Sequence, residues 1–164
     1  VLVVGDSMIV TGLEVWMKPF IKRHGGRYER LAWASSTTIA WAKTKRLEWA
    51  IGRHKPDLVW VVLGANELFL DKPDDMAVHV RKIVEKIGTR PFRWFGPPIW
   101  RKDSGIVRVI SENVPTGSFY PFNGKKIARD PDGRHPNVKG ARVWFGDMMQ
   151  WYEERLRAEA PRPR

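Results

Sequence analysis

Short apolar runs rich in β-branched residues alternate along the chain with longer stretches whose apolar positions recur every three or four residues. The run "VLVV" (1–4) stops at Gly5-Asp6-Ser7. A helical pattern follows to about Gly25-Gly26, with Leu13, Met17, Phe20 and Ile21 on one face. "RLAWA" (30–34) predicts a second strand, and residues 39–51 a helix closing at Gly52. "DLVWVVLG" (57–64) is the strongest strand signal, because an apolar run without alternation needs burial on both faces, as in a parallel sheet. Met76, Val80, Ile83, Val84 and Ile87 predict a helix that stops at Gly88. "FRWFG" (92–96) reads as a strand, 103–112 as a helix, and "GSFYPF" (117–122) as a short strand or a loop. A last helix begins near Val138 and turns Ala141, Trp144, Phe145, Met148 and Tyr152 inward.

This alternation of strand and helix predicts an α/β fold of three layers, α/β/α, around a central parallel sheet. In such sheets reactive groups collect at the carboxyl ends of the strands. The Gly5-Asp6-Ser7 turn, the loop after Ala34, the Gly64–Glu67 turn and the loop after Gly96 then share one rim. The later "DPDGRHPN" segment (130–137) leads into the last helix and is placed to fold over that rim. No repeat, low-complexity tract or linker interrupts residues 1–158, which read as one domain. Residues 159–164 read as a disordered basic tail, the end of "RLRAEAPRPR", whose two prolines stop a helix.

Composition changes this picture in three ways. A chain of 164 residues with 43% hydrophobic content is long enough for a sizeable core. No run approaches the ~20 apolar residues that span a bilayer, and no signal peptide is visible in the chain given, so a soluble protein is expected. Compartment and oligomeric state stay open. With no cysteine there is no disulfide, thiolate metal site or Cys nucleophile. The net charge of +11 and pI near 10.3 are those of a protein that contacts polyanions, or of one with a solvated basic surface and no specific partner.

Ser7 at a strand's carboxyl end becomes a nucleophile if the chain supplies a base, a group to orient that base, and donors for an oxyanion. Of four histidines, His24 and His54 fall at polar helix ends and His79 in a charged helix, all ordinary surface positions. His135 differs, lying in the turn-rich "DGRHPN" with Asp132 three residues ahead. That carboxylate can accept a hydrogen bond from Nδ1 and leave Nε2 facing Ser7. A plain Asp-Gly turn with a solvated histidine is the competing explanation. Asn66, after the strongest strand, can aim its amide into the same rim, and the "ASSTT" loop (34–38) offers a backbone N–H from Ser35 or Ser36. Asp6 reads as a structural residue bonding to the loop backbone.

These residues stand in the chain order Ser, Asn, Asp, His, and here the sequence resembles the SGNH (GDSL-type) hydrolases. Their first block is matched by "VVGDSM" with Ser7, the third by "LGANE" with Asn66, and the fifth by "DGRHPN" with Asp132 and His135. The resemblance spans nearly the whole chain. It implies a flavodoxin-like fold and a serine esterase with Ser7, Asp132 and His135 as triad. It further implies an oxyanion hole of the Ser7 N–H, a second-block N–H and the Asn66 amide, with no metal or organic cofactor. Two positions depart from the family pattern. The second-block glycine is absent, and Ser36 is favoured over Ser35 as its replacement. The third block ends in Glu67 where Asp is common, at a position that usually supports the site from behind.

Nine tryptophans bear on the substrate. Trp41, Trp94 and Trp100 are expected to form an apolar or sugar-stacking wall, whereas Trp60 and Trp144 are expected in the core. With positive charge, such a wall suits a small-acyl ester, acetyl above all, on an anionic glycan; an acyl chain with a phosphate head suits it equally. The reading leans toward the carbohydrate ester because the chain is short and shows no long apolar lid. The alternatives are a lysophospholipase or thioesterase, and a silent fold that binds polyanions.

Overall fold

The computed structural model describes residues 1–122 and 124–160. Five short strands, β1 (Leu2–Gly5), β2 (Glu29–Ala32), β3 (Val59–Val62), β4 (Phe92–Phe95) and β5 (Phe119–Tyr120), pair in the order β2-β1-β3-β4-β5. Every pairing is parallel, with Gly5 beside Ala32 on one side and Val62 on the other. The connecting helices are α1 (Glu14–Arg23), α2 (Thr38–Lys43), α3 (Arg46–His54), α4 (Ala77–Ile87), α5 (Ile106–Asn113) and α6 (Val138–Glu159).

Each strand sends alternate side chains into two separate cores, which is what makes the unbroken apolar runs necessary. Leu2, Val4, Val59, Val61, Phe92 and Trp94 pack against α2, α3, α4 and α5. Val3, Trp60, Val62 and Phe95 face the opposite way, against Met17 and Ile21 of α1 and Trp144, Phe145 and Met148 of α6. The result is the three-layer α/β/α arrangement with a central parallel sheet. As expected, Trp60 and Trp144 are in the core.

Three boundaries differ from the sequence pattern. The helix read over 39–51 is two helices, because Thr44 is extended (φ −98°, ψ 160°) between α2 and α3. Lys86 of α4 donates to the carbonyls of Trp41 and Thr44 there, satisfying acceptors that a continuous helix would have satisfied itself. The first helical segment opens with a wide turn over Ile9–Leu13, with Gly12 at φ 150° inside it. At the other end α6 runs to Glu159, where Arg93 of β4 pairs with the Glu159 carboxylate at 2.6 Å. The helix gives way at Ala160 (ψ 136°), as expected of a residue before proline. The rest of the expected tail, 161–164, lies outside the described residues. Among the described residues no helix is long and apolar enough to cross a membrane.

Candidate active site

The site begins where β1 ends. The N–H of Asp6 donates to the Val62 carbonyl, 3.3 Å, extending the β1–β3 pairing by one step before the chain turns. A Cβ on Gly5 would come within 2.1 Å of that same carbonyl, so a side chain there would push the turn off the sheet. The Asp6 side chain then folds under the turn, accepting from the Met8 N–H at 2.9 Å. Ser7 is left half-buried at the rim. Asp6 is fully buried, and burial pushes its carboxyl up to about 7.

The histidine arrives from the opposite end of the chain. A two-residue bridge joins Arg129 to Pro136, and the Asp130 N–H donates to the His135 carbonyl at 2.8 Å, closing a tight loop over 130–135. Asp132 holds that loop from inside, accepting from the N–H groups of Arg134 (2.8 Å) and His135 (3.0 Å) through Oδ1. Its other oxygen, Oδ2, is 2.5 Å from Nδ1 of His135. The contact with the imidazole, helped by the two backbone N–H groups, pushes the Asp132 carboxyl down to about 2. An ionised carboxylate only accepts, so Nδ1 carries a proton, and in the neutral imidazole Nε2 is then the nitrogen with the lone pair. That lone pair faces Ser7, with Nε2 2.8 Å from Oγ. Arg129 braces the loop from behind by donating to the carbonyls of Arg134, Ile99 and Pro98.

β3 delivers Asn66 through a turn that needs Gly64, whose φ of 118° is open to glycine and strained for other residues. The Asn66 Nδ2 donates to the Ser36 carbonyl at 2.8 Å and lies 3.5 Å from Asp6 Oδ2. Glu67 is buried, accepts from the Thr38 N–H, and has its carboxyl raised by burial. It thereby ties the start of α2 to the β3 turn, the supporting place expected of it.

The loop after β2 corrects one expectation. The Ser36 N–H donates to the Trp33 carbonyl at 3.2 Å, its side chain accepts from Trp41 Nε1 at 2.8 Å, and the residue is buried. Ser36 is thus engaged in holding the loop together. Ser35 instead takes the left-handed φ of 57°, the conformation a glycine would adopt, and it lines the cleft beside Ser7. Sequence spacing alone left the two serines undecided; the backbone conformation separates them.

The tryptophan wall is corrected as well. Trp41 and Trp94 are fully buried in the core under α2 and α4. Each satisfies its indole N–H internally, Trp94 on the Leu63 carbonyl at 3.2 Å and Trp41 on Ser36. Their strand and helix positions point into a core face and away from the rim. Trp100 does line the cleft, its Nε1 donating to the Ala65 carbonyl at 3.2 Å.

Ser7, Met8, Ser35, Thr37, Asn66, Phe69, Trp100, Arg134 and His135 together enclose an open cavity of about 310 Å³. Met8, Phe69 and Arg134 were not singled out from the sequence. The adjacency of Arg134 to His135, and of Phe69 to the Asn66 turn, was the available signal. Among the described residues no group of His, Asp and Glu side chains gathers as a metal site.

No protein-family model matches the chain, and no curated protein matches its sequence. Solved structures do match over nearly its full length. TesA superposes with a TM-score of 0.70 at 19% identity, covering 94% of this chain and 98% of that one. The psychrotrophic esterase EstA from Pseudoalteromonas sp., inhibited by monoethylphosphonate, gives 0.67 at 18% identity, covering 95% and 97%. The acetyl xylan esterase AlAXEase gives 0.63 at 13% identity, covering 92% and 98%. At these identities the likeness is one of fold, and the fold is that of the SGNH-type esterases the three sequence blocks resemble.

Proposed function

We propose that this protein is a serine esterase that hydrolyses small-acyl esters, acetyl above all, carried on a carbohydrate. The observation that carries the reading is the unbroken line from Asp132 through His135 to Ser7, at 2.5 and 2.8 Å. As Ser7 Oγ attacks the ester carbonyl, His135 Nε2 accepts its proton and Asp132 stabilises the imidazolium that forms. The oxyanion is held by the N–H groups of Ser7 and Ser35 and by the Asn66 amide. Asn66 Nδ2 has two hydrogens; its 2.8 Å bond to the Ser36 carbonyl orients the group, and the second hydrogen exchanges its long 3.5 Å contact with Asp6 Oδ2 for the oxyanion. His135 then protonates the departing alcohol, and a water attacks the acyl-Ser7 ester by the same route in reverse.

The small acyl group is supported by the cavity of about 310 Å³, at the low end of the range for ligand pockets. The acetyl xylan esterase among proteins of this fold supports the same class. Trp100 is the one aromatic of the expected wall that lines the cleft, where it can contact the alcohol part of the substrate.

Covalent labelling with a fluorophosphonate tests the assignment. Wild type is expected to be labelled at Ser7, and His135→Ala to be labelled far more slowly. A folded wild type that takes no label would overturn the esterase reading. With p-nitrophenyl esters, an acetate optimum supports the small-acyl assignment. An optimum at octanoate or longer would replace it with a lipid hydrolase.

A further inference from the structure

We infer that the ester cleaved here carries an anionic group on its alcohol side, bound by Arg134 and Arg101 across the face of Trp100. The inference rests on the esterase reading of the same cleft and adds the charge of its substrate. Arg134 lines the cavity next to His135, and its guanidinium lies 5.1 Å from the centre of the Trp100 ring. Arg101 lies 5.5 Å from the same ring and 5.0 Å from that of Phe69, so two cations share one indole.

Their order is imposed by the wall itself. Trp100 is anchored through its N–H to the Ala65 carbonyl, one residue before Asn66. A guanidinium resting on an anchored aromatic face keeps its forked N–H donors directed outward, the geometry that grips a carboxylate, sulfate or phosphate through two bonds.

Neither arginine has an internal carboxylate partner among the described residues. The acids nearest in sequence are otherwise engaged: Asp132 on His135, and Asp103 on the N–H groups of residues 105–107 at the start of α5. Both arginines are exposed, and two like charges on one ring repel each other. An anion between them removes that repulsion and gains charge-assisted hydrogen bonds. Its position, over Trp100 and beside His135, is on the side from which His135 must protonate a leaving alcohol. The shared chemistry is therefore an anionic alcohol, whose charge is either the carboxylate of a sugar acid or a phosphate.

Phenyl acetate, 4-acetoxybenzoate, 4-acetoxyphenyl phosphate and 4-(trimethylammonio)phenyl acetate share an acyl group and differ in the charge of the alcohol. After correction for the intrinsic reactivity of each ester, kcat/KM for at least one anion is expected to exceed the neutral value by about tenfold. The cationic ester is expected to fall below neutral. The anion-to-neutral ratio should drop about tenfold in the double variant Arg101→Gln/Arg134→Gln, and shrink with added salt. Preference for the carboxylate assigns the sugar acid, and preference for the phosphate assigns the phosphate source. Equal rates for all four esters, or a ratio that survives in the double variant, would overturn the inference while leaving the esterase reading intact. Hydrolysis of none of them by wild type strikes the esterase reading itself.

Discussion

Ser7 Oγ and His135 Nε2 stand 2.8 Å apart although 128 positions separate them in the chain. Ser7 is held by the last step of β1 and His135 by a loop bridged at Arg129 and Pro136, so the contact joins the first strand to the entrance of the last helix. Removing the imidazole leaves the serine without an acceptor. His135→Ala is therefore expected to lower kcat for a p-nitrophenyl acetate assay by about 10³-fold or more, with circular dichroism unchanged.

Asp132 offers a sharper test, because it separates orientation from charge. Asp132→Asn presents either an amide N–H or a carbonyl to Nδ1 and loses the strong preference for a proton there. A fall in kcat of about 10²–10⁴ is expected, with KM nearly unchanged. The residue is exposed, so thermal stability is expected to move little. A variant with wild-type kcat would mean that the carboxylate only closes the loop.

Asn66→Ala removes the proposed oxyanion donor together with the bond to the Ser36 carbonyl. The expected loss is about 10²–10³ in kcat, accompanied by some loosening of the loop after β2. Ser35→Gly is its counterpart and is expected to retain activity, since it restores the residue best suited to φ 57°. Left-handed backbone costs a non-glycine residue ~1–2 kcal/mol, and the greater unfolded-state freedom of glycine returns ~0.5–1. Urea unfolding should show the variant equal to wild type or up to about 1.5 kcal/mol more stable. A marked loss of activity would show that the Ser35 side chain itself is used.

Trp41 and Trp100 are expected to behave oppositely. Trp41→Phe leaves the Ser36 hydroxyl without its buried donor and should cost ~1–3 kcal/mol of stability, with KM unchanged. Trp100→Ala is expected to raise KM for glycan esters with a smaller effect on unfolding. The paired comparison of melting and Michaelis constants checks both at once.

Asp6 predicts a pH dependence of stability. Its ordinary value is 3.8 and burial raises it to about 7 in the folded chain. Below the lower value both states hold the proton. Between the two the folded chain retains a proton that the unfolded chain has released, so stability falls as pH rises through that window, and above it the loss is complete. Glu67, also raised by burial, acts in the same direction. Asp6→Asn keeps an oxygen for the Met8 N–H and removes the ionisation. Its stability relative to wild type should therefore improve between pH 4 and 7 by an amount on the order of a few kcal/mol. Parallel denaturation midpoints across that range would refute this.

The apolar pattern alone placed four of the five strands and left 117–122, where β5 lies, as a strand or a loop. It gave most helix boundaries to within a few residues, because a strand buried on both faces and a helix buried on one leave different periodicities. The division at Thr44 was illegible, since it depends on Lys86 reaching from another helix. Candidate chemistry was legible where it is local: Gly5-Asp6-Ser7, Gly64–Glu67 and Asp132–His135 are compact segments whose turn residues announce them. Trp60 and Trp144 read correctly as core, but no pattern settled which way Trp41, Trp94, Trp100, Ser35 and Ser36 would face. Trp41, Trp94 and Trp100 are chemically alike, and only the packing of α2, β4 and the loop after β4 sends two inward and leaves one at the cleft. Ser35 and Ser36 are identical residues side by side, separated only when the Ser36 N–H binds the Trp33 carbonyl and its hydroxyl the Trp41 indole, leaving Ser35 in the left-handed conformation at the cleft. Local sequence thus determined the elements and the reactive groups; their distances from one another came from contacts between segments far apart in the chain, where burial and hydrogen bonding are decided collectively.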